Sequence, residues 1–257
     1  MHLPSEEVCL VSGAGQGIGE AVVRAFAGRG AAVALLDTNQ DAITRTAASL
    51  RSSGVRTLAL TADVRNSAAL QSAVQRTETS LGPITALVNC AGVLRCGAAM
   101  GMDEDDWALT FAVNTTGVFL LSRAVAQRMA QRRSGCIVTV GSNAAVVPRM
   151  HMSAYAASKA AATQFTKCLG LELAGTGIRC NTVSPGSTDT PMQRALWHGS
   201  DASAQVVAGS VADFRVGIPL GRIADADDVA RAVLFLCSDS ARHITMHDLR
   251  VDGGASL

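Results

Sequence analysis

The sequence predicts an α/β protein built on one doubly wound parallel sheet of about seven strands, with helices on both faces. Most of its short apolar runs do not alternate polar with apolar residues, which is typical of strands buried on both faces of a parallel sheet. Segments with helical periodicity separate these runs, so strand and helix alternate along the chain. The predicted strands are residues 8–11, 32–36, 57–60, 86–89, 136–140, 178–183 and 249–251. The predicted helices are residues 17–29, 39–53, 66–81, 103–133, 152–174 and 225–238.

Residues 1–257 are predicted to form a single domain, because no composition shift, repeat or low-complexity tract divides the chain. The one irregular stretch is residues 187–220, which are rich in Ser, Thr, Gly and Asp. This stretch follows the sixth predicted strand, and ligands of open α/β sheets bind beyond the carboxyl ends of strands. We therefore expect residues 187–220 to form a lid over a substrate.

Composition excludes several functional classes. The formal net charge is +1 and no basic stripe occurs, so we expect no nucleic-acid or membrane partner. The first residues lack a secretory pattern, and no stretch reaches the roughly 18 apolar residues of a spanning helix, so we expect a soluble, cytoplasmic protein. The seven cysteines are scattered without a C-x-x-C pair and read as reduced thiols. No metal is expected, because His243 and His247 lack a third ligand.

A glycine-rich turn, residues 12–19, directly follows the first predicted strand and opens a helix. Glycines allow a tight turn and a close approach of the backbone to a pyrophosphate, whose charge the free N–H groups and the helix dipole stabilise. Between a strand and a helix, this pattern predicts a Rossmann-type dinucleotide site. The residues assigned to it are Gly13, Gln16, Gly17, Ile18 and Gly19.

Asp37 ends the second predicted strand, 18 residues beyond Gly19. A carboxylate at this position can accept hydrogen bonds from the adenosine ribose hydroxyls and would repel a 2′-phosphate. Thr38 follows instead of an arginine, and the glycine turn contains no basic residue. The predicted cofactor is therefore NAD rather than NADP.

Tyr155, the only tyrosine of the chain, precedes Lys159, one of only two lysines, by four residues. On a helix this spacing places both side chains on one face. A nearby ammonium group favours the phenolate, so we expect Lys159 to lower the pKa of Tyr155 from about 10 toward neutrality, where a general base is most effective.

Polar residues and glycines follow three further predicted strands, at Asp63-Val64, at residues 89–92 and at residues 141–143. The carboxyl ends of parallel strands lie along one edge of a sheet, so these residues should line a common site. Ser142 lies 13 residues before Tyr155, which suits a strand-to-helix loop that brings the hydroxyl and the phenol to one substrate oxygen.

In these features the chain resembles the short-chain dehydrogenase/reductase family over nearly its whole length. The matching motifs, in the family's order, are Gly13, Gly17 and Gly19, then Asn89-Cys90-Ala91-Gly92, Asn114, Ser142, Tyr155 with Lys159, and Pro185-Gly186. Ser12 stands where the family more often has Thr, and Cys90 where it often has Ala or Asn. All are small residues, so the departures change little.

The resemblance implies a role for each matching residue. Tyr155 would be the general acid/base, and Ser142 would position the substrate oxygen. Lys159 would bind the nicotinamide ribose, and Asn114 would support a helix kink and a water of the proton relay. The remaining implied cofactor contacts are Asp63, Val64, Asn89, Ala91, Gly92, Pro185, Gly186, Thr188 and Thr190. The resemblance also implies a homotetramer assembled through residues 103–133, 152–174 and the C-terminal strand region.

Within the family, residues 91–95, 148–155, 184–193 and 243–248 are most similar to dehydrogenases of catecholate siderophore synthesis. The implied substrate is a small cyclohexadiene diol carboxylate, which becomes an aromatic catechol acid after loss of a hydride and a proton. Its carboxylate calls for a cation, and bidentate pairing suits arginine. Arg149 is the first candidate and Arg95 the second.

Two alternatives stay open from the sequence. Another short-chain enzyme could act on 3-oxoacyl thioesters, sugars or steroids, although Asp37 argues against an NADPH-driven thioester reductase and Arg149 against neutral steroids. A catalytically silent NAD-binding scaffold or sensor is the second alternative. The intact set of Ser142, Tyr155 and Lys159 argues against it.

Overall fold

The computed structural model describes residues 7–196 and 202–256. Its central sheet has seven parallel strands in the order β11-β6-β5-β4-β1-β2-β3. These strands are β1 (Val8–Ser12), β2 (Ala32–Asp37), β3 (Thr57–Thr61), β4 (Ala86–Asn89), β5 (Gly135–Val140), β6 (Ile178–Pro185) and β11 (Asp248–Val251). The remaining strands have two residues each: β7 (Thr188–Asp189), β8 (Gly209–Ser210), β9 (Arg215–Val216) and β10 (Ala224–Asp225). The doubly wound parallel sheet predicted from the sequence is confirmed.

Six long helical segments connect the strands, as the periodicity predicts. The helices are α1 (Gly17–Ala27), α2 (Gln40–Ser52), α3 (Ser67–Leu81), α4 (Glu104–Phe111), α5 (Gly117–Arg132), α6 (Ser153–Leu173), α7 (Pro191–Arg194), α8 (Ala202–Ala208) and α9 (Ala226–Cys237). A π-helical turn, Ala112–Thr116, joins α4 to α5 within the predicted helix 103–133. The helices α2 and α3 each begin after an asparagine, Asn39 or Asn66, whose side chain accepts a backbone N–H bond.

Six of the seven strands of the sheet, β1 to β6, contribute to two cores, one on each face, and β11 contributes to one. In β1, Cys9 and Val11 pack with α1, α2 and α9, while Val8 and Leu10 pack with α3 and α5. All four side chains are at most 1% exposed. Because both faces are buried, apolar residues fill every position of the strand, which is why the sequence shows continuous rather than alternating runs.

The stretch 187–220 is less irregular than the sequence suggests. It contains β7, α7, α8 and the antiparallel pair of β8 with β9, so short elements replace the expected open loop. Residues 197–201 of the predicted lid lie outside the described residues.

One helical stretch of the described residues, Glu104–Arg132, is long and apolar enough by length and composition to cross a membrane. Half of its apolar window is buried, and Leu121, Val125 and Met129 pack into the core beneath the sheet. Interior helices of a fold meet the same criterion, since burial requires the same apolar side chains.

Candidate active site

A cavity of about 610 Å³ opens at the carboxyl ends of the central strands. The cavity lies at the sheet edge where the sequence predicted a common site, as expected for open α/β sheets. Its walls include Ser142, Arg149, Tyr155 and Lys159. The cofactor-binding candidates on the walls are Gly13, Gln16, Gly17, Ile18, Gly19, Asp37, Asp63, Val64, Ala91, Gly92, Pro185, Gly186, Thr188 and Thr190.

The glycine turn lies at one end of the cavity, packed against the strand-end loop of β4. Gly13 has a φ of +66°, and a Cβ there would lie 2.6 Å from the backbone nitrogen of Ala91. A Cβ on Gly19 would overlap the carbonyl oxygen of Gly13. A side chain is therefore excluded at Gly13 and at Gly19, which lets the backbone of the turn and the start of α1 lie directly at the cavity. These are the groups that bind a pyrophosphate.

Asp37 is held rigidly beside this turn. Its carboxylate accepts hydrogen bonds from the backbone N–H groups of Gly15 at 2.9 Å and of Asn39 at 2.9 Å. The negative charge is thus fixed at the cavity wall at the end of β2, where the sequence placed it. A 2′-phosphate at this position would meet that charge directly.

Asp63 and Arg65 form an ion pair on the neighbouring wall, with 2.6 Å between Arg65 Nη2 and Asp63 Oδ2. The hydrogen bond from Arg65 lowers the pKa of Asp63. Arg65 lines the cavity, and its positive charge is already paired with the carboxylate of Asp63. The pair therefore offers little free positive charge to a phosphate.

Ser142 and Tyr155 both line the cavity, and the Ser142 hydroxyl is close enough to the phenol to lower the pKa of Tyr155. Ser142 lies two residues after the end of β5, and its Oγ accepts the N–H of Ala144 at 3.2 Å. Burial raises the pKa of Tyr155 above 10, the Ser142 hydroxyl lowers it, and nearby Cys96 raises it; burial has the largest effect. The phenol is therefore protonated at neutral pH in the protein alone.

Lys159 lies one helical turn from Tyr155, with its Nζ 5.9 Å from the centre of the phenol ring. The Nζ donates a hydrogen bond to the carbonyl oxygen of Val140 at 2.8 Å. Burial lowers the pKa of Lys159 to about 8. The expectation that Lys159 brings the pKa of Tyr155 toward neutrality is wrong for the protein alone, because the lysine loses its charge well before the buried phenol ionises.

Two predicted site residues lie behind the cavity wall instead of on it. The amide of Asn89 is buried and donates to Ser122 Oγ at 2.9 Å, so the prediction of a cofactor contact by Asn89 is corrected to a supporting role. Asn114, in the π-helical turn, accepts the N–H of Val93 at 2.8 Å and donates to Ser158 Oγ at 3.0 Å. Asn114 thereby links the β4 loop to α6, and its part in a proton relay stays a prediction.

The two arginine candidates differ in position. Arg149 is half-buried on the cavity wall, and its Nη2 donates to the carbonyl oxygen of Ala255 at 3.1 Å. Arg95 is exposed and forms an ion pair with Asp106 at 3.0 Å, away from the cavity-lining residues. The structure therefore favours Arg149 over Arg95, because an acid on α4 pairs with Arg95, and the carboxylate-binding role stays a prediction.

Sequence reasoning missed Arg215 and Ala255, which also line the cavity. They come from β9 and from the C-terminal residues, far from Tyr155 in sequence and within no motif. Met150, Met152 and Met192 add apolar side chains to the cavity wall. No group of three metal-ligating side chains converges within residues 7–196 and 202–256.

Comparisons with known proteins match this geometry over nearly the whole chain. A family model described as enoyl-(acyl carrier protein) reductase matches residues 13–256. A 2,3-dihydro-2,3-dihydroxybenzoate dehydrogenase of Bacillus subtilis (strain 168) is 54% identical over 98% of this chain and 96% of its own length. A protein of the same name from Escherichia coli (strain K12) is 45% identical over 96% of each chain.

A solved structure of 7α-hydroxysteroid dehydrogenase, complexed with NADH and 7-oxo glycochenodeoxycholic acid, has the same fold. It is 28% identical, covers 97% of this chain and 94% of its own, and gives a TM-score of 0.89. The similarity thus spans the sheet, the glycine turn and the helix that carries Tyr155 and Lys159. The chain belongs to the short-chain dehydrogenase/reductase family.

Proposed function

We propose that this protein oxidises 2,3-dihydro-2,3-dihydroxybenzoate to 2,3-dihydroxybenzoate with NAD, as a step of siderophore synthesis. The observation that carries the proposal is the presence of Arg149 in the same cavity as the neighbouring side chains of Ser142 and Tyr155. A carboxylate bound by Arg149 would orient a ring hydroxyl toward that pair. Relatives that carry this name are 54% and 45% identical to the chain.

The reaction needs one hydride acceptor and one base. Bound NAD would supply the hydride acceptor and a positive charge beside the phenol. Tyr155 would accept the proton of the C3 hydroxyl while the hydride leaves C3, and Ser142 would donate a hydrogen bond to the developing carbonyl oxygen. Loss of these two hydrogens leaves a ketone that tautomerises to the catechol acid, so aromatisation favours oxidation.

Lys159 is suited to hold the nicotinamide ribose. An ammonium group has three donors, and the hydrogen bond to Val140 uses one of them. Lys159 lines the cavity together with Tyr155, so a bound ribose could accept from the other donors. This arrangement supports the ribose-binding role of Lys159 and does not require it to lower the pKa of the phenol in the protein alone.

The choice of NAD rather than NADP follows from charge. Asp37 puts a fixed carboxylate where the adenosine ribose would lie, and the nearby Arg65 is paired with Asp63. The 2′-phosphate of NADP would therefore lie beside net negative charge. The same argument disfavours an NADPH-dependent thioester reductase, although the matching family model has a reductase description.

The proposal is tested by offering a panel of substrates together with NAD. Turnover is measured as the increase in NADH absorbance. The panel contains 2,3-dihydro-2,3-dihydroxybenzoate, the neutral cyclohexadiene-1,2-diol, a hydroxysteroid and a 3-hydroxyacyl thioester. We expect the dihydrodiol acid to have the highest kcat/KM. Preference for the steroid or thioester would overturn the proposed substrate, and no turnover of any compound would favour the scaffold.

We also propose that the protein assembles as a homotetramer. Large apolar side chains are exposed on α4, α5 and α6, among them Trp107 at 45%, Phe119 at 38% and Leu171 at 69% exposure. Burial of such a surface between subunits would stabilise an assembly. Analytical ultracentrifugation tests this proposal, and a monomer at micromolar concentration would contradict it.

A further inference from the structure

Arg215 brings a second cation to the substrate end of the cavity. It lies in β9, paired with β8, and is half-buried on the same wall as Arg149. Its Nη2 donates a hydrogen bond to Ser187 Oγ at 2.8 Å, which fixes the guanidinium group against the segment that follows β6. The position of Arg215 therefore depends on two segments of the region 187–220.

Neither guanidinium group forms an ion pair with an acid of the described residues, although Asp252 acts on Arg149 and Asp213 on Arg215 from a longer distance. Among residues 7–196 and 202–256, no carboxylate oxygen lies within the 4.0 Å ion-pair distance of Arg149 or Arg215. The nearest acids are engaged elsewhere: Asp252 accepts from Asn143 at 3.2 Å, and Asp213 accepts from Ser210 at 2.8 Å. In contrast, Arg65 on the opposite part of the wall has its own carboxylate.

The two cations also act on each other. Burial has the largest effect and lowers the pKa of both guanidinium groups, and the charge of Arg215 lowers that of Arg149 further, while Asp252 offsets part of the effect at Arg149 and Asp213 part of the effect at Arg215. Two partly desolvated like charges raise the energy of the site unless an anion lies between them. Each guanidinium has five N–H donors, of which one is used by Ala255 or Ser187, so both retain donors for such an anion.

We propose that Arg215 is a specificity-determining residue that binds the substrate carboxylate together with Arg149. This inference rests on the proposed function for the identity of the acid. A carboxylate has two oxygens with about four acceptor positions, enough for one arginine on each side. The bound acid would join the loop before α6 to the β8–β9 pair, and a neutral diol would make neither contact.

The test compares Arg215→Met with the wild type on an acid and a neutral diol. For 2,3-dihydro-2,3-dihydroxybenzoate, KM should rise about 10- to 100-fold, as expected for loss of a charged hydrogen bond. For cyclohexadiene-1,2-diol, KM should change less than about twofold, since no carboxylate is present. Arg215→Lys should recover part of the loss, because it restores the charge without the planar guanidinium.

The matched control is Arg45→Met, which removes the same charge from an exposed position on α2, away from the cavity-lining residues. It should leave both KM values unchanged. The affinity for NADH shows that each variant is folded. An unchanged KM for the acid in Arg215→Met, or an equal rise for both diols, would overturn the role of Arg215.

A binding experiment distinguishes failure of the proposed function from failure of the proposed role of Arg215. If the wild type turns over no dihydrodiol acid, calorimetric binding of benzoate to the complex with NADH still tests the anion site. Benzoate binding that is weakened in Arg215→Met but not in Arg45→Met supports the two-arginine site with another acid as substrate. Benzoate binding that is equal in all three proteins refutes it.

Discussion

Replacement of Lys159 by methionine should stabilise the fold while it removes most turnover. Burial lowers the pKa of Lys159 from 10.5 to about 8, and a difference of this size corresponds to about 3 kcal/mol. The lowered pKa means that protonated Lys159 is less stable in the folded protein than in the unfolded chain. Below pH 8, where Lys159 is protonated in both, the free energy of unfolding of the wild type is reduced by this full amount. The variant also loses the hydrogen bond to Val140, worth about 1 kcal/mol. The net gain at pH 7 is therefore about 2 kcal/mol.

The sign of the pH dependence makes this prediction specific. As the pH rises from about 8 toward 10.5, folded Lys159 has lost its proton while the unfolded chain keeps it, so wild-type stability increases. The advantage of the variant should fall to about zero by pH 10. Urea denaturation without cofactor at pH 7 and pH 10 measures both values.

Lys167 provides the matched control, because it is the only other lysine and lies on the same helix, half-buried. Lys167→Met should change neither turnover nor the pH dependence by a comparable amount. A Lys159→Met variant that is less stable than the wild type at pH 7, or whose advantage is the same at pH 10, would refute the reasoning.

Three further predictions concern other buried or charged groups. Tyr155→Phe should keep its NAD affinity, measured by fluorescence titration, and lose about 10²- to 10⁴-fold in turnover; retained turnover would exclude Tyr155 as the base. Asp37→Ala should shift the ratio of kcat/KM values for NAD and NADP by at least about tenfold toward NADP, and an unchanged ratio would contradict the cofactor argument. Burial, helped by Asp239, raises the pKa of Glu7 to about 7, so wild-type stability should fall by about 3 kcal/mol as the pH rises from 4.5 to 7. Glu7→Gln should remove that slope in urea denaturation, and an equal slope in both proteins would refute it.

The sheet could be predicted because its determinants are local in sequence. A strand buried on both faces needs an apolar residue at every position, and β1 shows this directly in Val8, Cys9, Leu10 and Val11. The glycine turn and Asp37 could be placed for a related reason, since each directly follows a strand whose carboxyl end must reach the cavity edge. Helical spacing likewise placed Tyr155 and Lys159 side by side.

The positions of the arginines could not be predicted in the same way. Arg95 and Arg149 both lie in loops near the expected site, and only the ion pair with Asp106 shows that Arg95 turns outward. Arg215 reaches the cavity from a hairpin 60 residues after Tyr155, so neither spacing nor periodicity connects the two. Contacts between remote loops depend on the tertiary fold and leave no local pattern.

The prediction that the pKa of Tyr155 is lowered was wrong for a different reason, and this reason bears on how the site works. The spacing predicts that an ammonium group lies near the phenol, but burial acts on both groups and favours the neutral form of each. Lys159 with a pKa of about 8 is still mostly charged at neutral pH, yet this charge does not outweigh the burial of Tyr155. A further positive charge beside the phenol is needed, and oxidised NAD carries one. Activation of the base would therefore follow cofactor binding, which keeps the phenol unreactive in the free protein.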